Sequence, residues 1–164
     1  MIAVDTSVFV NSLLEKNDDR IRKSKEFLKS IEGLAIVIPR IFLFEFISIT
    51  RRFGISLSRK DVEELVADFE VLSENFVFDE AFKIAELSHP RAVDSYFIAA
   101  AKLTNSVLIS CERRMVENGR KYGIRAYYLL EELDDAIKAV RKLKRGAQKC
   151  QKLDKETPMG WVMK

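Results

Sequence analysis

Histidine and cysteine are scarce in this chain, and their scarcity excludes several kinds of active site. With a single histidine, His89, the chain cannot be a nuclease that uses two histidines, and a histidine-rich zinc site is not expected. The two cysteines, Cys111 and Cys150, form no Cys-x-x-Cys pair and match no zinc spacing, so we interpret them as ordinary thiols of a reducing compartment. Cys111 follows a predicted strand, but no histidine accompanies it in a pattern that would activate a nucleophile.

Glycine, proline and long apolar runs are also few. Six glycines and three prolines among 164 residues indicate dense regular structure with few long loops. No apolar run approaches the roughly 18 residues that a bilayer-spanning helix needs, so we expect a cytoplasmic protein with no membrane association. The glycine-rich loops of nucleotide-binding proteins and the Gly-x-Ser-x-Gly turn of serine hydrolases are both missing, which argues against those chemistries.

The overall composition is that of a folded single domain. Hydrophobic residues make up 48% of the chain and charged residues 32%, which is typical of globular rather than disordered proteins. The net charge of +3 permits a nucleic-acid partner without requiring one.

Predicted strands alternate with predicted helices along the chain. This order predicts a three-layer α/β/α sandwich with a mainly parallel central sheet. In such sheets the functional residues collect beyond the carboxyl ends of the strands. The predicted strands are residues 2–4, 34–38, 76–78, 107–110 and 125–129, and the predicted helices are 7–14, 20–31, 41–53, 59–75, 79–89, 94–103, 112–122 and 131–149.

Three acidic residues lie at strand ends or helix starts. Asp5 directly follows the first strand, Glu112 follows the strand at 107–110 after one residue, and Asp94 opens an alanine-rich helix. Each has a structural alternative, because side-chain oxygens cap helix N-termini and the helix dipole favours an anion in the first turn. Taken singly, none of the three identifies a functional site.

Glu45 is harder to explain as a structural residue. It lies within Ile41–Ile47, on a helix that is apolar nearly all round. Burying a carboxylate there is costly unless it is paired or bound to a metal. The structural alternative is a salt bridge to Arg40, Arg51 or Arg52.

The joint placement of these acids predicts a metal site. Asp5, Glu45, Asp94 and Glu112 can converge on one pocket of a parallel α/β sheet, where several carboxylates cannot all stay ionised without a counter-charge. A divalent cation supplies that charge, and hard oxygen ligands suit Mg²⁺ or Mn²⁺. Such a site can activate a water and hold a phosphodiester, as metal-dependent nucleases do.

Four segments, in their order and spacing, resemble the PIN-domain family. They are Met1–Val10, which contains Val-Asp-Thr-Ser, followed by Ile38–Glu45, Ala92–Ala101 and Val107–Met115. The resemblance covers about residues 1–132. It implies a PIN-like catalytic domain over 1–132, with the basic C-terminal helix and tail at 133–164 packed on it or extending it.

The resemblance also implies an activity and partners. Family members are metal-dependent endonucleases that prefer single-stranded RNA, and many are VapC-like toxins held in check by an antitoxin. A homodimer is the family expectation. Carried over by position, Asp5, Glu45 and Asp94 match the family's acidic triad, and the hydroxyls of Thr6 and Ser110 match its supporting polar positions.

The fourth acid departs from the family pattern. That position usually holds aspartate, and here it is Glu112. The longer side chain can still ligate a metal directly or through water, so its role stays open. The departure also motivates a second hypothesis, a PIN-like module that binds RNA or protein without cutting. A receiver-like phosphoacceptor is disfavoured, because Asp5 has no acidic neighbour before Glu15.

Basic residues supply candidate RNA contacts. Arg113 and Arg114 adjoin Glu112 and could hold a phosphate near the metal, and Arg91 is a further candidate. The stretch 138–152 carries seven lysines and arginines and no acid. This stretch can bind the RNA backbone or can simply be a solvated helix face.

Overall fold

The computed structural model describes residues 1–88 and 90–156, with the side chains of all of these except Ser88 and residues 147–156. The expected end of a helix at His89 and the tail after Glu156 lie outside the described residues. The described strands are β1 (Ile2–Val4), β2 (Ile36–Pro39), β3 (Glu70–Leu72), β4 (Val107–Ser110) and β5 (Ala126–Tyr128). The described helices are α1 (Thr6–Leu14), α2 (Asp18–Ser30), α3 (Ile41–Arg52), α4 (Arg59–Leu65), α5 (Glu74–Ser88), α6 (Ala92–Leu103), α7 (Arg113–Lys121) and α8 (Leu129–Glu156).

The strands form one parallel sheet in the order β3-β2-β1-β4-β5. The expected α/β fold is confirmed, and the sheet is parallel throughout rather than mainly so. Central strands β1 and β4 are wholly buried, in keeping with their continuous apolar runs. Their register places Val4 beside Ile109, so the residues that follow, Asp5 and Ser110, emerge side by side.

The helices divide into two layers. In the first, α1 packs on α2 and α3, α3 on α4, and α8 on α2; in the second, α5 packs on α6 and α6 on α7. Because parallel crossovers are right-handed, connections that run in opposite directions from the sheet centre lie on opposite faces. The chain leaves β1 towards β2 and leaves β4 towards β5, so the strand order reverses between β1 and β4. A crevice opens at such a reversal, beyond the strands' carboxyl ends.

Aromatic packing holds α1 and α3 together above the sheet. The ring of Phe9 meets that of Phe42 edge-on at 5.4 Å, and Phe42 stacks on Phe46 at 5.6 Å. All three rings are buried, and their packing fixes the rotation of α3 about its axis. That rotation turns Glu45, between Phe42 and Phe46, away from the centre of the core.

The segment 59–88 differs from the sequence prediction. We expected a helix to about Asn75, a strand at 76–78 and a helix capped by Asp79. The capping box of Ser58 and Asp61 is present, but α4 ends at Leu65, the strand is β3, and α5 begins at Glu74. As an edge strand with Glu70 and Val71 exposed, β3 lacks the apolar signature of the inner strands. Residues 76–78 instead lie in α5, whose buried face contains Val77, Ala81 and Ile84.

Helix α8 begins where β5 ends and packs against α2. Leu133, Ala136, Ile137 and Val140 form its buried face, and Lys144 donates through Nζ to the carbonyl of Glu32 across 2.8 Å. Among the described residues, no helix is both long and apolar enough to cross a membrane.

Candidate active site at the carboxyl ends of β1 and β4

Asp5 occupies the crevice between β1 and β4. It is 2% exposed, and its amide donates to the carbonyl of Ile109 at 3.0 Å, which extends the β1–β4 pairing by one residue. Asp5 stands at the N-cap position of α1, yet its carboxylate makes no capping hydrogen bond. The capping alternative for this residue is therefore wrong, and its side chain is directed elsewhere.

Two hydroxyl groups hold the Asp5 carboxylate. Ser110 Oγ donates to Asp5 Oδ2 at 2.7 Å, and Ser7 Oγ donates to the same oxygen. Each hydroxyl also accepts a backbone N–H from the turn after β4: Ser110 from Glu112 at 2.8 Å and Ser7 from Cys111 at 3.0 Å. The network ties the turn that carries Glu112 to the carboxylate of Asp5.

Ser7 is a site residue that the sequence interpretation missed. Its position two residues after Asp5, in Asp-Thr-Ser, was the available signal, because a hydroxyl there can reach back across the first turn of a helix. Thr6, which we expected to support the site, is buried. Its Oγ1 makes no well-aligned hydrogen bond among the described residues, but it lies near enough to Glu45 to oppose the rise in the pKa of that carboxyl.

Glu45 projects from α3 towards the same crevice. Its Oε2 is buried without a hydrogen-bond partner, and none of the ion pairs found among the described residues joins it to Arg40, Arg51 or Arg52. The salt-bridge alternative is therefore wrong. The charges of Asp94, Glu112 and Arg91 all act on this carboxylate, which places it within the same electrostatic cluster.

Asp94 lies in the first turn of α6 and is 3% exposed. Its carboxylate faces the guanidinium of Arg91, with Nη2 3.0 Å from Oδ1 and Nε 3.3 Å from Oδ2. The Nε contact is a hydrogen bond, whereas Oδ1 has no well-aligned donor. Arg91 thus satisfies only part of the hydrogen-bonding capacity of the Asp94 carboxylate.

Glu112 stands at the rim of the crevice. It holds the N-cap position of α7 without capping it, and its side chain is 46% exposed. Its Oε2 lies 3.3 Å from Arg91 Nη2. Arg91 therefore bridges the two acids Asp94 and Glu112, a role that the sequence pattern did not predict.

Burial shifts the pKa of Asp5, Glu45 and Asp94 in the same direction, upwards. Burial raises the pKa of Asp5 to about 7; hydrogen bonds from Ser7 and Ser110 oppose the rise, and the charges of Glu45 and Asp94 add to it. Burial likewise raises the pKa of Glu45, and it raises the pKa of Asp94 against the opposing charge of Arg91. Together these acids hold protons more tightly than ordinary carboxyls, as expected where positive charge is deficient.

The carboxylates approach one another without forming a closed metal cage. Across the described part of the chain, no three acidic, histidine or cysteine side chains are grouped closely enough to hold a metal as they stand. The donor chemistry does fit a hard cation, because the charges of these carboxylates act on one another and two of their oxygens, Glu45 Oε2 and Asp94 Oδ1, are buried without a well-aligned donor among the described residues.

Two arginines and a cysteine near the site have distinct surroundings. Arg113 pairs with Glu131, and its guanidinium lies 4.6 Å from the ring centre of Tyr128. Arg114 is exposed to solvent. Burial raises the pKa of the Cys111 thiol to about 11, which makes it a poor nucleophile at neutral pH.

Comparisons with known proteins agree with this architecture. Two solved structures share the fold: a toxin–antitoxin complex from Klebsiella pneumoniae, at 13% identity and a TM-score of 0.54 over 68% of this chain and 87% of that one, and FitAcB from Neisseria gonorrhoeae, at 16% identity and a TM-score of 0.57 over 77% and 96%. A search of curated proteins found no match. The PIN domain model matches residues 2–121, which include all four acids of the crevice. The chain therefore belongs to the PIN-domain family.

Proposed function

We propose that this chain is a metal-dependent endoribonuclease that cleaves phosphodiester bonds of single-stranded RNA with Mg²⁺ or Mn²⁺. PIN domains are typically nucleases, which supports a phosphodiester hydrolase at the family level. The observation that carries the proposal is the buried Asp5, held at the reversal of strand order beside Glu45 and Asp94 with the pKa of each carboxyl raised. Clustered acids of this kind have no evident structural purpose, because they destabilise the fold.

The residues that would hold the cation are Asp5, Glu45 and Asp94, with Glu112 completing the set from the rim. A cation bound there supplies the positive charge that a phosphodiester and its attacking water require. The surrounding residues serve to position these acids. Ser7 and Ser110 fix the orientation of one Asp5 oxygen, and the other oxygen of that carboxylate is left without a hydrogen bond among the described residues.

Contacts with the RNA backbone are assigned to the arginines near Glu112. Arg114 is exposed and lies in the first turn of α7, two residues after Glu112, so it is the candidate phosphate contact that needs least rearrangement. Arg113 is already engaged by Glu131 and Tyr128, and Arg91 by Asp94 and Glu112. These two would have to exchange partners to bind phosphate.

Cleavage of a labelled single-stranded RNA tests the proposal. The wild-type protein and Asp94→Asn are compared in Mn²⁺, in Mg²⁺ and in chelator. We expect cleavage that needs the metal and is lost in the variant. Absence of cleavage under any metal, together with clear RNA binding, would instead support a non-catalytic PIN-like module.

A toxin role is the finer proposal. One structural neighbour is a toxin–antitoxin complex, and an antitoxin partner for this chain rests on that likeness together with the family assignment. Expression of the wild-type protein in a bacterial host should arrest growth, whereas Asp94→Asn should not. Equal growth with both proteins would count against the toxin role and leave the nuclease proposal standing.

A homodimer is likewise a proposal, and the outer face of α5 is its candidate interface. Phe78 and Phe82 are about half exposed with ring centres 6.1 Å apart, and Asp79 and Lys83 border them. A face with both signs of charge can pair with a second copy of itself across a two-fold axis. Sedimentation of the wild type and of Phe82→Ser should show a dimer that the variant loses. A monomeric wild type would rule out this interface.

A further inference from the structure

Arg91 is the cation that the acidic crevice already contains. It immediately precedes α6, with extended backbone (φ −59°, ψ 145°), and its side chain remains 62% exposed while the guanidinium reaches inward. Two of its nitrogens face Asp94 at 3.0 and 3.3 Å, and Nη2 also lies 3.3 Å from Glu112. In the ion pairs found among the described residues, no other lysine or arginine reaches the four acids of the crevice.

The oxygens that Arg91 contacts are those that a cation in the crevice would need. Asp94 offers two oxygens and both face the guanidinium, and Glu112 Oε2 faces it as well. A guanidinium binds carboxylates through directed N–H groups, whereas a divalent ion needs the same lone pairs at shorter range. The two positive groups therefore compete for Asp94 and Glu112.

The surroundings of Arg91 allow its guanidinium to move away from Asp94 and Glu112. Among the described residues, the guanidinium forms ion pairs with these two acids alone, and most of the side chain is in solvent. The contact with Glu112 joins two well-exposed side chains, and ion pairs of that kind are weak and easily exchanged. In the contact with Asp94 only the arginine is exposed, so a cation that replaces it there must itself neutralise a buried carboxylate. By contrast, Arg120 is held by the Ala126 carbonyl as well as by both oxygens of Glu132.

From this geometry we propose that Arg91 is an exchangeable internal counter-ion: it occupies Asp94 and Glu112 in the metal-free protein and is displaced from them when a divalent cation binds. The inference rests on the proposed metal site. Arg91 thereby sets the metal concentration at which the site fills. Arg91 is a positioning residue in this scheme, because it acts through the acids.

Direct measurement of Mn²⁺ binding tests the exchange. Free Mn²⁺ is followed by electron paramagnetic resonance as wild type, Arg91→Gln, Arg91→Lys and Asp94→Asn are titrated without RNA. We expect Arg91→Gln to bind Mn²⁺ about 5- to 10-fold more tightly than wild type, in the range usual for coupled sites. The Mn²⁺ affinity of Arg91→Lys should lie between those of the wild type and Arg91→Gln, because lysine keeps the charge but lacks the paired N–H groups of a guanidinium.

Loss of one positive charge anywhere near the crevice also strengthens cation binding, so Arg114→Gln is the matched control. That arginine is exposed and adjoins the same turn, and its removal should change Mn²⁺ affinity less than about 2-fold because the effect is screened. Equal gains in Mn²⁺ affinity for Arg91→Gln and Arg114→Gln would show that general electrostatics causes the effect. That result would overturn the proposed exchange.

The outcomes separate the two proposals. If the wild type binds Mn²⁺ and Asp94→Asn does not, the metal site stands, and unchanged or weaker binding by Arg91→Gln then overturns the counter-ion role alone. If neither the wild type nor Arg91→Gln binds Mn²⁺ at millimolar concentration, both the metal site and the exchange are wrong.

Discussion

Ser110 Oγ donates a 2.7 Å hydrogen bond to Asp5 Oδ2, linking residues that are 105 positions apart in the sequence. The same hydroxyl oxygen accepts the amide N–H of Glu112 at 2.8 Å. One side chain thus joins the carboxyl end of β1 to the turn after β4. Hydroxyl groups in this position stabilise the ionised form of Asp5 and fix the direction in which its free oxygen faces.

Removing this hydroxyl should weaken both stability and cleavage. Ser110→Ala leaves the Glu112 amide without an acceptor and Asp5 with one donor fewer, a loss on the order of 2 kcal/mol in the free energy of unfolding. We expect RNA cleavage to fall by roughly tenfold, since the Asp5 carboxylate is less firmly oriented. Urea unfolding and cleavage assays measure the two effects. Ser48→Ala, on the exposed face of α3, is the control and should change neither.

Asp94→Asn should abolish cleavage without unfolding the protein. The carboxyl is buried beside Glu45 and Asp5, and its pKa is raised, so the neutral amide relieves repulsion in the metal-free fold. We expect cleavage to drop by roughly 100-fold or more while the melting temperature stays the same or rises. Thermal unfolding in chelator and RNA cleavage give the comparison, with Asp68→Asn, at an exposed position between α4 and β3, as the control. Severe unfolding of the Asp94 variant would identify Asp94 as a structural residue.

Stability of the metal-free protein should depend on pH through Asp5. The pKa of Asp5 is 3.8 when unfolded and about 7 when folded, so the folded state binds more protons between those values. Its contribution to stability is therefore complete below about pH 4 and declines until about pH 7. The free energy of unfolding of Asp5→Asn should therefore rise relative to that of the wild type as pH rises, by up to about 4 kcal/mol at pH 8. Urea unfolding from pH 5 to 8 measures the part of this gain that falls above pH 5, about 3 kcal/mol, and a pH-independent difference would contradict it.

Glu112 should contribute less than Asp94, because it lies at the rim. With 46% of its side chain exposed, its interaction with a bound cation is screened by solvent. We expect Glu112→Gln to lower cleavage by roughly tenfold, against roughly 100-fold for Asp94→Asn. Cleavage measured over a range of Mn²⁺ concentrations distinguishes the cause: a loss that excess Mn²⁺ repairs indicates a metal-binding role. Equal losses in the two variants would place Glu112 at the centre of the site.

The basic face of α8 should matter only for longer RNA. Arg141 and Lys142 are exposed and lie 9 and 10 residues after Glu132, where the backbone of α8 departs from helical geometry near the site edge of the sheet. At 1.5 Å per residue they are roughly 14 Å along the axis of the regular part of α8. Substituting both with glutamine should weaken binding of a 20-nucleotide RNA and lower its salt slope by roughly 1.4, with little effect on a 4-nucleotide RNA.

The control for that variant removes two positive charges from α4. Arg59 and Lys60 are well exposed and pair with Glu63 and Glu64 of the same helix. If their glutamine variant weakens RNA binding as much as the α8 variant, the effect follows net charge alone. The basic stretch is then a solvated helix face, as the alternative interpretation holds.

Much of the fold could be predicted from sequence because its signals are local. Apolar runs marked β1, β2 and β4, and a capping box marked the start of α4. Segment 70–78 could not be predicted correctly, since an edge strand with one buried residue carries little apolar pattern. Its assignment depends on pairing with β2, a contact between residues that are 33 positions apart.

The sequence by itself determined the family, the strand–helix order and the identity of Asp5, Glu45, Asp94 and Glu112 as a set, because residue type and spacing are local properties. Their roles in the chemistry remain predictions. Tertiary structure alone decided that Ser7 and Ser110 share one Asp5 oxygen and that Arg91 lies between Asp94 and Glu112. These contacts follow from strand register and crossover handedness, which bring together side chains that no sequence period relates.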